Sequence, residues 1–134
     1  MSWKSRTENS DPKAEGPESI RYLRDEVVKD PGNLRNRLLL GWALYDRGYF
    51  QDALIVHSES RELFPDEVEI YYALAMTQKM SGRVDDAVQS FQMVLRLLDQ
   101  REYSDSLSMI RRFTMGHINM IKHGKWEPRI NSKE

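Results

Sequence analysis

Apolar residues return every three or four positions along most of this chain, and the polar breaks between the runs are evenly spaced. Ile20, Leu23 and Val27 form one apolar face and predict a helix that begins near Pro17, where a first turn tolerates proline. Asp30-Pro31-Gly32-Asn33 ends it by ordinary turn chemistry. The pattern then predicts helices over about 34–47, 50–64, 67–80 and 84–98, with Gly48, Pro65-Asp66 and Ser81-Gly82 as the breaks. A last helix over about 103–123 carries the stripe Leu107, Ile110, Thr114, Ile118 and Ile121. Residues 1–16 are polar and without apolar period, so a flexible amino-terminal tail is expected. Residues 124–134 read as a carboxy-terminal tail, apart from Trp126 and Ile130. The expectation is an all-α chain of six helices, with 17–123 as its helical domain.

The helices repeat. Gly41 and Ala75, Gly48 and Gly82, Ala53 and Ala87, Leu40 and Leu74, Asp52 and Asp86, and Leu63 and Leu97 each lie 34 residues apart. A fixed period of that length marks stacked helix–turn–helix units rather than a single-core domain. Small residues at Gly41, Ala53, Ala75 and Ala87 let two helices cross closely. Gly48 and Gly82 suit a tight left-handed turn.

These residues resemble the tetratricopeptide repeat (TPR) family. Leu40-Gly41, Leu44, Gly48, Phe50, Ala53 and Pro65 fall on its pattern in one unit, and Tyr71, Leu74-Ala75, Gly82, Val84, Ala87 and Phe91 in the next. Arg37, His57, Ser60 and Asp99 depart from it. The resemblance implies an α-solenoid of antiparallel helix pairs, with two full units at about 34–66 and 68–100. The helix before them aligns through Pro31 with the second half of an upstream unit. The helix after them fits a capping helix or a decayed third unit.

In that family the first helix of each unit lines a concave ligand groove. The resemblance places Arg35, Leu38, Trp42, Tyr45 and Asp46 there, with Glu69, Tyr72, Met76, Lys79 and Met80 from the second unit. The face is aromatic, aliphatic and methionine-bearing, which implies an apolar or amphipathic polypeptide as ligand. Three occupants are open: a bound peptide, the chain's own first helix or Trp126 tail, and a second copy. Family members that clamp a chaperone's terminal carboxylate use Lys and Asn on this face. Leu38, Trp42, Tyr72 and Met76 stand there instead, which sets that subtype aside.

Composition narrows the function classes. The chain of 134 residues is 31% charged with net charge −1 and a pI near 6.3, which is not the footprint of a nucleic-acid binder. Cysteine is absent, so disulfides, thiolate zinc sites and a cysteine nucleophile are excluded. No apolar leader is visible and no run approaches the ~18 apolar residues of a membrane span, so the expected address is cytoplasmic. His57, His117 and His123 lack metal-ligand spacing, and His57 is expected to pack at a helix crossing. Arg111, Arg112, Lys122, Lys125, Arg129 and Lys133 make the end locally basic, as a solvated face or for an acidic partner or nucleic-acid phosphates. The expected function is a non-enzymatic adaptor or chaperone-like module that binds a protein segment, with no cofactor or metal and no membrane or nucleic-acid partner. The alternatives are a homo-oligomeric assembly protein and a small bacterial secretion chaperone for a hydrophobic client.

Overall fold

The computed structural model describes residues 19–102 and 104–129. The expected flexible tail at 1–16, together with Pro17, Tyr103 and Ile130, lies outside the described residues. Those described form six helices and no strand: α1 Ile20–Lys29, α2 Leu34–Asp46, α3 Phe50–Leu63, α4 Val68–Met80, α5 Val84–Leu98 and α6 Asp105–His123. Each helix packs on the next in the chain, and α2 also packs on α4. None of them is long and apolar enough to cross a membrane.

The helix starts are set by local hydrogen bonding. Ser19 Oγ accepts from the Tyr22 amide at 2.9 Å, Asn33 Oδ1 from the Asn36 amide at 2.9 Å, and Ser104 Oγ from the Leu107 amide at 3.2 Å. Helices α3, α4 and α5 have no side-chain cap. Each places acid in its first turn, Asp52, Glu69, and Asp85 with Asp86 respectively, where the positive end of the helix dipole favours it. Gly48 and Gly82 both have positive φ, 81° and 82°. A Cβ there would meet nothing, so backbone conformation and not crowding demands glycine.

The period seen in the sequence recurs in the hydrogen bonds. The Gly48 amide donates to the Tyr45 carbonyl and the Gly82 amide to that of Lys79. The Tyr49 and Arg83 amides donate to the Leu44 and Gln78 carbonyls. Most telling is Arg37, which departs from the expected apolar pattern. Its Nε donates to the Pro31 carbonyl at 2.7 Å, and one period later the Tyr71 hydroxyl donates to the Pro65 carbonyl at 2.9 Å. Two different side chains, both buried, anchor matching turns one period apart. Tyr71→Phe is expected to cost about 1 kcal/mol and Arg37→Met about 1.5–3 kcal/mol, because the second bond comes from a charged donor. Urea denaturation reads both, and unchanged midpoints would mean that the anchors are redundant. Ser60, another departure, is tolerated in the core because its hydroxyl donates to its own helix at Val56 O, 2.8 Å away.

The core is strung along the chain as a row of clusters. Leu23, Leu40, Leu44, Ala53 and Val56 join α1, α2 and α3. Val68, Tyr71, Val94, Leu97 and Leu98 join α4 and α5, with Leu107 and Ile110 of α6 against them. Ala75, Ala87, Phe91 and Ile118 join α4, α5 and α6 further along. The small residues are needed where expected. A Cβ on Gly41 would drive into the His57 ring, and the equivalent Ala75 packs against Phe91.

Candidate functional site

A pocket of about 280 Å³ opens between α2, α4 and α6. Arg35, Leu38, Leu39 and Trp42 line it from α2, Glu69 and Tyr72 from α4, and Ile110 from α6. The α2 residues recur at three, four and seven positions, which is one face of a helix. Glu69 and Tyr72 stand one period after Arg35 and Leu38, so matching positions of the two helices meet across the pocket. The walls are aromatic and aliphatic. The rim carries one charge of each sign, Arg35 and Glu69, both exposed.

Five of the ten residues expected on this face, Arg35, Leu38, Trp42, Glu69 and Tyr72, therefore share one pocket. Tyr45 does not line it but supports Trp42 edge-on, with ring centroids 5.2 Å apart, and meets Phe50 at 5.4 Å. Met76 packs against the cluster around Phe91. Asp46 and Met80 sit exposed at the ends of α2 and α4.

Lys79 has a different role. Its Nζ lies 3.1 Å from His117 Nδ1, and Tyr72 Oη lies 3.4 Å from His117 Nε2. An ammonium only donates, so Nδ1 is the acceptor and the ring proton sits on Nε2. Nε2–H then donates to the Tyr72 oxygen, which leaves the phenol's own proton to be donated elsewhere. Burial, and then the Lys79 charge, holds the His117 pKa down at about 4, so the ring is neutral near pH 7. Burial raises the Tyr72 pKa, and Tyr45 adds to this, so the phenol keeps its proton. Phe91 stacks on the His117 ring at 5.2 Å with planes 6° apart, which fixes its orientation.

His117, Leu39 and Ile110 were missing from the sequence-based set. Ile110 belongs to the α6 stripe and could have been found by asking what that stripe faces. His117 gave no signal, because its contacts lie 38 and 45 residues away in the chain.

His57 is 0% exposed at the crossing of α2 and α3, as expected. Its ring lies against Gly41 and edge-on to Trp42 at 6.1 Å. Among the described residues neither ring nitrogen has a hydrogen-bond partner, and burial lowers its pKa to about 4. Among the described residues, no group of three or more His, Cys, Asp or Glu side chains could hold a metal ion. A scan against protein-family models gives no match, and a search of curated proteins gives no significant one.

Proposed function

We propose that this chain is an α-solenoid of tetratricopeptide type whose inner helices α2, α4 and α6 hold an apolar or amphipathic polypeptide segment. It acts as an adaptor or chaperone-like module and not as an enzyme. The observation that carries this reading is the pocket joining Leu38 and Trp42 to Tyr72 across two helices at matching positions. At about 280 Å³ it lies just below the ~300 Å³ at which small-molecule sites begin, and it suits side chains of a peptide better than a whole cofactor. The Tyr72 hydroxyl, fixed by His117, supplies a donor for a peptide carbonyl. Arg35 and Glu69 at the rim suit an amphipathic segment with charges of both signs. The hydrogen bonds that recur at the 34-residue period support the solenoid assignment.

Selection from a displayed peptide library tests this reading, with a Trp42→Ala/Tyr72→Ala double variant as the counter-screen. Peptides that bind the wild type are expected to be amphipathic. They should lose about 30-fold in affinity or more on the double variant, equivalent to about 2 kcal/mol. Circular dichroism would confirm that the variant keeps its helices. Selected peptides that bind both proteins equally would move the site away from this pocket.

A second reading, assembly between copies, draws on exposed apolar side chains near both ends of the row of helices. Val28 and Ile55 are exposed where α1 meets α3, and Met109 and Phe113 on α6. A mass that rises with concentration and is lowered by Ile55→Lys or Phe113→Lys would favour it.

A further inference from the structure

A second peptide-shaped contact lies on α6, and the chain itself supplies the peptide. Gly124 turns in the left-handed region (φ 73°), and the following residues run back along α6. Asn119, 4% exposed, donates from its side-chain Nδ2 to two backbone carbonyls of this segment, Glu127 O at 2.7 Å and Arg129 O at 2.8 Å. The Trp126 indole lies over Gly116, where a Cβ would come within 2.4 Å of ring atoms Cε2 and Cζ2. The same indole meets His117 edge-on at 4.9 Å and Phe113 at 6.5 Å.

Each part of this contact has the character of recognition. Glycine inside a helix is unfavourable relative to alanine, and at Gly116 it leaves a notch that a flat ring fills. Asn119 reads only backbone carbonyls, which any extended segment presents at alternate residues. Beside the indole, Met109, Phe113 and Pro128 line a further cavity of about 290 Å³ with Asp105 and Arg112, so the surface extends past the segment now on it. The hold on that segment is modest. Trp126 is still 46% exposed, and the two hydrogen bonds are uncharged.

We propose that this face of α6 is a recognition site for extended peptides that carry a tryptophan, filled in the resting chain by its own residues 124–129. The occupant defines the ligand: an indole for the Gly116 notch, followed by backbone carbonyls one and three residues later for the Asn119 amide. A segment of the same chemistry displaces the strap. Displacement also uncovers the side of His117 that Trp126 covers, the ring that holds Tyr72. The site is separate from the pocket between α2 and α4, and stands whether or not that pocket binds a segment.

The test uses full-length protein carrying Trp126→Ala, in which the notch is vacated. It is titrated with a labelled, end-capped peptide of the sequence of residues 124–129. Saturable binding is expected, at least tenfold weaker for the same peptide carrying Trp126→Ala. Adding Gly116→Ala to the protein is also expected to weaken binding at least tenfold, although that change favours the helix itself. Wild-type protein should bind the peptide less well than the vacated variant, because its own strap competes. If the Gly116→Ala protein melts early, Asn119→Ala replaces it, with the same loss expected. No saturable binding at millimolar peptide, or binding indifferent to these substitutions, overturns the proposal.

Discussion

Phe91→Ala is expected to lower the unfolding free energy by about 4–5 kcal/mol, the upper end for loss of a buried phenylalanine. The ring is 0% exposed and is shared by three helices: it touches Ala75 of α4, Ala87 of its own helix, and Ile118 and His117 of α6. The size of the loss depends on whether the surroundings can fill the space. Here they cannot, because Ala75 and Ala87 present little more than backbone, and the stacked His117 ring is tied to Lys79 and Tyr72. The urea midpoint checks the expectation. A loss below about 2 kcal/mol would mean that α6 swings in to close the cavity. The same variant should weaken any ligand of the α2–α4 pocket, because Tyr72 meets the Phe91 ring edge-on at 5.9 Å.

The second large effect is set by pH. In the folded chain His57 accepts a proton only near pH 4, whereas an unfolded histidine does so near 6.5. Between those values the unfolded state holds a proton that the folded state lacks. Stability therefore rises with pH through this window and falls as acid is added. At about 1.4 kcal/mol per pH unit, the full loss from pH 7 to below pH 4 is about 3 kcal/mol from this one ring. His117 acts in the same direction. His57→Phe should remove the His57 share of the acid slope. It should also gain about 1–2 kcal/mol at pH 7, because two buried nitrogens without partners are replaced by carbon. A phenyl group is accommodated at the matching position 34 residues later, where Phe91 packs with Ala75, which is bulkier than Gly41. Urea titrations from pH 4 to 7 decide the matter: equal slopes in wild type and variant would place the acid sensitivity elsewhere.

Much of this architecture could be read from the chain because its determinants are local. Gly48 and Gly82 mark turns by the backbone they allow, and the helix ends fall within two residues of those expected for α2 to α6. Arg37 was legible only as a departure. Its role depends on where a carbonyl six residues earlier ends up, and periodicity does not encode that. The last helix escaped the period because it is longer. Gly124 follows Gly82 by 42 residues where Gly82 follows Gly48 by 34, so α6 could not be aligned by counting. The pocket was half legible. Five of the residues expected on α2 and α4 line it, but its third wall at Ile110 and the ring of His117 depend on how α6 docks. The strap was partly legible: a Trp126 tail that folds back is among the expected occupants of the α2–α4 face, but the indole lies on α6 over Gly116, much as His57 lies over Gly41.

The order of helix contacts has a mechanical consequence. Among the described residues, each helix rests mainly on its neighbours in the chain, and α1 has α2 as its one extensive support. Little loop-closure entropy is then lost at any step of assembly, so the chain should fold quickly and could start from any adjacent pair of helices. By the same geometry, a pull along the described residues finds mostly neighbour-to-neighbour packing, with no clasp between α1 and α6 among them to break at once. The helices would yield one after another from the ends inward, α1 early and the stretch around α4 last, with resistance that falls in steps rather than in a single rupture.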